Sequence, residues 1–440
     1  LEIVGPSVDV AYLVGRYPAV SHTFIVREVL ALRAAGARVE TISIHRAGAE
    51  HTLSEVDRAE HDNTYALLPA RPTEVLAAHL RAMASPRAYL RTLVRALRGG
   101  PPGLKARLWR FFYFTEALMV WRHCRRRGIY HLHAHLLNQA SDAAMLAARY
   151  ANASGASPAW TWSVTLHGPN EFFDVSRFQL AEKAGSADAI VCISDFARSQ
   201  VMGFAPEERW RRFRVVHCGL DPTEFDPDRE RRLAATGFRV LYVGRLVPFK
   251  GQAVLLEALA AIRSRGVDAS LTVVGDGPSR QTLERRAMEL GLPGAVTFAG
   301  VVGQDAIRSY YSSADAFCLP SFAEGVPVVL MEAMAMRVPV VTSQVMGISE
   351  LVDDGEDGLL VRPGRVDELS AALERLARDP ELRERLGRRG RDKVVAEFDV
   401  RESGKQLARI FAAVATGSLD RREAYTAVAL SPQPIVSELP

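Results

Sequence analysis

Short apolar runs of strand character alternate with helical periods along almost the whole chain, and this alternation constrains the fold more than any other feature. In the first half VDVAYLV (8–14) reads as a strand, TFIVREVLALRAAG (23–36) as an amphipathic helix closed by Gly36, and VETISI (39–44) as a second strand. IYHLHAH (129–135), WSVTLHG (162–168) and DAIVCIS (188–194) continue the series. The second half repeats it with FRVLYVG (238–244), ASLTVVG (269–275), AVTFAG (295–300), AFCLP (316–320), VPVVTS (338–343) and GLLVRP (358–363). Runs that are apolar nearly throughout and are separated by helices belong to parallel sheets covered on both faces. The expected fold class is α/β, with two doubly wound domains.

A chain of 440 residues fits two domains of ordinary size. HCGLDPTEFDPDRE (217–230), rich in Pro, Gly and Asp, reads as the segment between them. We therefore expect a first domain over 1–217, a second over 218–400, an amphipathic helix over 401–416 and a poorly ordered tail over 417–440. The four cysteines are scattered and form no CxxC pair, which supports neither a zinc site nor a disulfide framework. No stretch reaches the ~20 apolar residues of a spanning helix, and the first residues lack a signal-peptide pattern, so a cytoplasmic location is expected.

The chemistry concentrates in the second half. Strand VLYVG ends at Gly244 and Arg245, with Lys250 and Gly251 five residues on. Two cations at the carboxyl end of a parallel strand suit a diphosphate. The next feature is EGVPVVLMEAM (324–334), an apolar segment carrying Glu324 and Glu332. Gly325 lets backbone approach a ligand, and Pro327 suits the first position of a helix. The free amides around Gly325, Val326 and Val328 make an anion site at that helix start. Glu324 then lies in the loop and Glu332 two turns into the helix, so the pair can anchor hydroxyls at different ends of one elongated ligand: Glu332 a ribose diol, Glu324 the hydroxyls of a sugar. VVGDGPSR (273–280), with Gly275 after a strand, adds only consistency with a nucleotide site.

GRLVPFKG, VVGDGPSRQTLE, VTFAGVV, PSFAEGVPVVLMEAMA and GISELVDDGEDGLLVRPG, in this order, resemble the retaining GT-B glycosyltransferases of family 4, and the resemblance runs to about residue 416. YPAVSHTFIVREVLALRAAGARVE, LHAHLLNQASDAAMLAARY and WSVTLHGPNEFF are similar to the branch that includes colanic acid and other exopolysaccharide glycosyltransferases. The resemblance implies two Rossmann-like domains facing a cleft, with the final helix crossing back to the first domain. It implies transfer of a sugar from a nucleotide-sugar, UDP favoured, to a saccharide or lipid-linked acceptor, with retention and without a metal or other cofactor. By position, Gly244, Arg245, Lys250, Gly275, Val302, Glu324, Gly325, Val326, Pro327, Val328 and Glu332 would hold the donor. Arg245, Lys250, Glu324 and His167 would form the catalytic set, with His167 facing the transferred sugar from the first domain. Gly15, Ser21 and Thr23, in the loop after the first strand, would line the acceptor side with His135 and His167. Two departures stand out: His22 occupies a position where the branch often has Glu, and Arg337 replaces a usual Gly.

HLHAHL places His131, His133 and His135 on one strand face, a pattern that three zinc ligands could share, but no acidic partner accompanies it in sequence. DPD (226–228) reads as turn chemistry. Residues 1–217 hold 27 Lys and Arg against 19 Asp and Glu, and the surplus is concentrated: 81–128 carries twelve basic residues and one acid, Glu116. This segment reads either as a solvated basic face on helices flanking the first sheet or, with Leu90, Val94 and RLWRFFYF, as a patch for peripheral contact with an anionic membrane, whereas no nucleic-acid module accompanies it. The competing readings are a transferase acting on a small natural product or aminocyclitol, and a non-catalytic nucleotide-sugar-binding scaffold.

Overall fold

A computed structural model describes residues 8–229 and 236–419. The sequence-expected tail lies outside the described residues from 420 onward. The first sheet has seven parallel strands in the order β3-β2-β1-β4-β5-β6-β7. They are β1 Asp9–Tyr17, β2 Arg38–Arg46, β3 Tyr65–Leu68, β4 His131–His135, β5 Thr161–Leu166, β6 Ala189–Cys192 and β7 Phe213–Val215. The second has six in the order β10-β9-β8-β11-β12-β13. These are β8 Phe238–Val243, β9 Ala269–Val274, β10 Val296–Gly300, β11 Ala316–Leu319, β12 Val340–Ser343 and β13 Leu359–Val361. Helices cover both sheets, so the apolar side chains of the central strands are buried on either face.

In each sheet the strand order reverses once, between β1 and β4 and between β8 and β11. Loops that leave the carboxyl ends of those strands diverge to opposite faces and open a crevice. The residues at issue lie there: Val20–His22 after β1, His135 at the end of β4, Arg245 to Lys250 after β8, and Glu324 to Val328 after β11.

Three local expectations change. Gly15 is not in a loop, because β2 extends to Arg46 and keeps β1 paired as far as Tyr17. Ser21 then falls in the 3-10 turn Val20–His22, and Thr23 opens the helix Thr23–Ala34. Pro327 is the residue before the helix Val328–Ala335 rather than its first, with ψ of 120°.

The chain crosses between the sheets twice, and the two crossings pair. Leu220 donates its N–H to Phe398 O (3.0 Å), and Val400 donates to Leu220 O (3.0 Å). The helix Val400–Ala415 then returns to lie on Thr23–Ala34. Gly404 permits this approach, since a Cβ there would sit 2.9 Å from Ala31 Cβ. Leu407 and Phe411 of the returning helix are fully buried against Tyr12, Val29 and Leu32. At roughly 1.5–3 kcal/mol for each such side chain, residues distant in sequence complete the first core.

Candidate active site

The second half supplies most of the polar groups. Lys250 Nζ lies 2.5 Å from Glu324 Oε1, which also accepts from Ser321 Oγ at 2.7 Å. Arg245 is exposed on the same loop and forms no ion pair among the described residues. Gly275 packs against the Gly244 carbonyl, and its N–H bonds Gly300 O at 2.7 Å. Val302 follows β10, partly exposed. The helix Val328–Ala335 begins without a side-chain cap, so its first-turn N–H groups are open to an anion.

The first half closes over this surface. A Cβ on Gly325 would lie 2.2 Å from His167 O and 2.9 Å from Ile193 Cδ1, so only glycine allows the two loops to touch. Glu350, in the GISE stretch, reaches across and accepts from Asp195 N (2.7 Å) and Phe196 N (2.8 Å). Its carboxylate thus caps the helix Asp195–Met202 of the opposite sheet.

Glu332 is placed in an unexpected setting. Its side chain is 3% exposed and accepts from Arg27 Nη2 at 2.7 Å and from Tyr311 Oη at 2.8 Å. Burial, then Glu332, pushes the Tyr311 hydroxyl well above its ordinary value, so it stays a donor. Arg27 comes from the helix Thr23–Ala34, bonds Gln304 Oε1 at 2.7 Å and lies 5.1 Å above the Phe225 ring. Arg27 Nη1 is buried without a hydrogen-bond partner. A ribose diol on Glu332 therefore has to share or displace Arg27. Sequence reading did not single out Arg27, 305 positions from its partner.

His167 differs from its expected posture. Its Nε2 meets His135 Nδ1 at 2.7 Å and its Nδ1 meets Cys218 Sγ at 3.6 Å, with the Phe24 ring 4.5 Å away. Both ring nitrogens are thus engaged by the protein, and the carbonyl rather than the ring lies against Gly325. His22 stands nearer Arg245; burial first, then His135, His51 and Arg245, push its imidazole down to about 4.

The three β4 histidines form a buried ladder with hydroxyls of β5. His131 bonds Thr161 (2.8 Å) and Ser163 (2.9 Å), and His133 bonds Ser163 (2.7 Å) and Thr165 (2.9 Å). Glu28, His133 and His135 bring ligand atoms within 4.8 Å of one another, a spacing that a metal could use. Both His133 nitrogens are already bonded and Tyr12 donates to Glu28 Oε1 at 2.6 Å, while His135 Nε2 lies 3.2 Å from Glu28 Oε1 without a hydrogen bond. The group reads as a polar core bonded throughout except at His135 Nε2. DPD is a turn, with Asp226 accepting from Asp228 N at 3.1 Å.

Glu171, in HGPNEFF, is a structural find. It accepts from Leu137 N (2.7 Å), His167 N (2.8 Å) and Gly168 N (3.1 Å), fastening the loops after β4 and β5. Beneath it, fully buried Lys183 pairs with Asp142 at 3.3 Å, and Arg110 with Asp142 at 3.2 Å.

Residues 225–393, which hold Arg245, Lys250, Glu324 and Glu332, match the family model Glycosyl transferases group 1. That match covers 169 of the 440 residues. The chain is similar to several curated proteins. The chain is 35% identical over 233 residues to Alpha-D-kanosaminyltransferase of Streptomyces kanamyceticus, covering 51% of this chain and 60% of that one. It is 32% identical over 251 residues to the GDP-mannose-dependent alpha-(1-6)-phosphatidylinositol monomannoside mannosyltransferase of Mycolicibacterium smegmatis, covering 54% and 65%. It is 33% identical over 205 residues to the amylovoran biosynthesis glycosyltransferase AmsK of Erwinia amylovora, covering 45% and 50%. The match thus spans 50 to 65% of the length of these relatives. Anabaena HepE, solved in complex with UDP, superposes with a TM-score of 0.68 at 18% identity, covering 92% of this chain and 100% of that one. The fold is therefore GT-B, two Rossmann-like domains around the group 1 site.

Proposed function

We propose that the protein is a retaining glycosyltransferase that moves a hexosyl group from a nucleotide-sugar to a saccharide or lipid-linked saccharide acceptor in polysaccharide synthesis. The observation that carries this reading is the convergence of Arg245, Lys250, the open helix start at Val328 and the carboxylate of Glu324 on one crevice edge of the group 1 domain. Arg245, Lys250 and the helix amides stabilise the charge of the departing diphosphate, a task that needs no metal ion. Glu324, held by Lys250 and Ser321, orients the donor sugar. UDP is the favoured carrier, in keeping with the UDP-bound HepE, and the GDP-mannose-dependent relative makes GDP its rival.

The acceptor side comprises the turn around Ser21 to Thr23, with His135 and His167 behind it. Residues 81–128 would bring the enzyme to the inner face of an anionic membrane. Leu90, Val94, Leu104, Leu108, Trp109 and Phe112 are exposed there among arginines. No helix among the described residues is long and apolar enough to cross a membrane, so the contact would be peripheral. The kanosaminyltransferase relative favours a second reading, transfer to a small natural product.

A thermal-shift panel of UDP, GDP, ADP and TDP, each alone and with common sugars, tests the donor site on the wild type and on Lys250→Ala. A ligand at a hundredfold excess over its dissociation constant adds about 2.7 kcal/mol. A shift for one base, lost in Lys250→Ala, is expected. No shift with any nucleotide would overturn the nucleotide-sugar reading altogether, and a shift without turnover of the donor would leave the non-catalytic scaffold.

A further inference from the structure

The first domain holds a second cationic site on the side turned away from the crevice. Helices Pro72–Met83 and Leu104–Arg127 enclose a cavity of about 460 Å³ lined by Ala77, Arg81, Trp121, Arg122, Arg125 and Arg126. The helix Leu104–Arg127 descends antiparallel to the strands and feeds β4, so its arginine end lies at the amino edge of the sheet. The crevice lies at the opposite, carboxyl edge.

Arg122, Arg125 and Arg126 are spaced i, i+3, i+4 and share one helix face, and Arg81 meets them from the other helix. None of the four forms an ion pair with a carboxylate among the described residues, whereas neighbouring Arg127 pairs with Glu40 at 3.6 Å. Cations in a last helical turn are favoured by the helix dipole. That accounts for Arg125 to Arg127 but not for Arg122, a full turn earlier, or for Arg81. The floor is Trp121, 3% exposed, with the Arg125 guanidinium 5.5 Å over its ring. Like charges one turn apart cost a few tenths of a kcal/mol without an anion between them, and a cavity that gathers four is arranged for one.

We infer that this cavity binds a phosphate-bearing anion. Planar guanidinium forks match phosphate oxygens two at a time, and arginines from two helices can surround one such group. Leu76, Leu80 and Met83 are exposed on the same helix as Arg81. The shared chemistry is a phosphate group, carried either by a soluble diphosphate or by a lipid headgroup. The inference does not rest on the transferase reading, because the site is read by binding alone.

The test uses the full chain carrying Arg245→Ala and Lys250→Ala, so that the crevice does not compete. Inorganic pyrophosphate is titrated by calorimetry, and vesicles of phosphatidylglycerol or of phosphatidylcholine are co-sedimented. Adding Arg122→Gln with Arg126→Gln, or Arg81→Gln alone, should weaken binding about tenfold or more, as expected on losing a charge-assisted hydrogen bond. Arginine-dependent binding of pyrophosphate assigns a soluble phosphate. Arginine-dependent sedimentation with phosphatidylglycerol but not phosphatidylcholine assigns a headgroup. Binding in neither arm, or binding indifferent to these arginines, overturns the site. Arg81→Gln alters an exposed side chain and carries the test if the double variant does not fold.

Discussion

Arg337 shows how much a single backbone angle carries. It ends the helix Val328–Ala335 with φ of 57°, the left-handed region where a side chain is strained. The hydrogen bonds Arg337 N to Met334 O (3.0 Å) and Val338 N to Ala333 O (2.9 Å) close a Schellman cap around it, so the angle is imposed by the helix end. The position is one where glycine is the ordinary solution, and the turn keeps the glycine geometry with arginine in it. The compensating contact is an ion pair to Asp228 at 3.0 Å, between side chains 46% and 71% exposed. Such a pair contributes about 0–1 kcal/mol, against roughly 1–2 kcal/mol for the strained angle. Arg337→Gly is therefore expected to stabilise the protein by up to about 1 kcal/mol in urea unfolding, and a loss of stability would show that the ion pair dominates.

Between elements, the contact from the helix Thr23–Ala34 to the helix Val328–Ala335 is the most consequential. Arg27 and Glu332 are 10% and 3% exposed, so removing one leaves the other charged in an apolar setting. Arg27→Met or Glu332→Met alone should cost about 3–5 kcal/mol, and the double substitution should recover most of it. A double-mutant cycle in urea decides; additive losses would mean that the pair does not couple the halves. If Glu332 also holds the donor ribose, Arg27→Lys should change nucleotide affinity more than Arg337→Gly does, a comparison read by calorimetry. The sequence made the helix carrying Glu332 legible, through its apolar run and the glutamate spacing, but not Arg27, which looks like any exposed cation of an amphipathic helix. Eleven of the thirteen strands among the described residues were legible for the same reason, as apolar runs between helices. β3 and β7 were not, because YALL and FRV are short edge strands without the paired glycine and proline that bracket the equally short β13 in GLLVRP. The His131, His133 and His135 face was visible as a period of two. Its partners were not, since Ser163 and Thr165 become neighbours only once β4 and β5 pair.

Across the whole molecule, the buried titratable groups set how stability follows pH. Burial pushes His131 down to about 3 and His22 to about 4, and it lowers His133 and His167 well below 6.5. Each binds a proton in the unfolded chain near 6.5 but stays neutral in the fold, so its stabilising effect is full above 6.5 and declines as pH falls toward the folded value. Two carboxyls act oppositely. Burial raises Glu116 to about 8 and Glu171 to about 7, so their contribution is full below about 4.5 and is lost as pH rises through those values. One group changes stability by about 1.4 kcal/mol per pH unit within its window. Above 6.5 these two carboxyls make stability fall with rising pH; from 6.5 to 4.5 the lowered imidazoles, that of His79 among them, outweigh the two carboxyls and it falls with acid. Stability should therefore peak near pH 6.5. His131→Gln keeps a side chain able to bond Thr161 and Ser163 and should remove about 1.4 kcal/mol per unit from the acid limb. Urea unfolding from pH 4.5 to 8 reads both, and an acid slope unchanged in His131→Gln would mean that the ladder is already protonated in the folded protein.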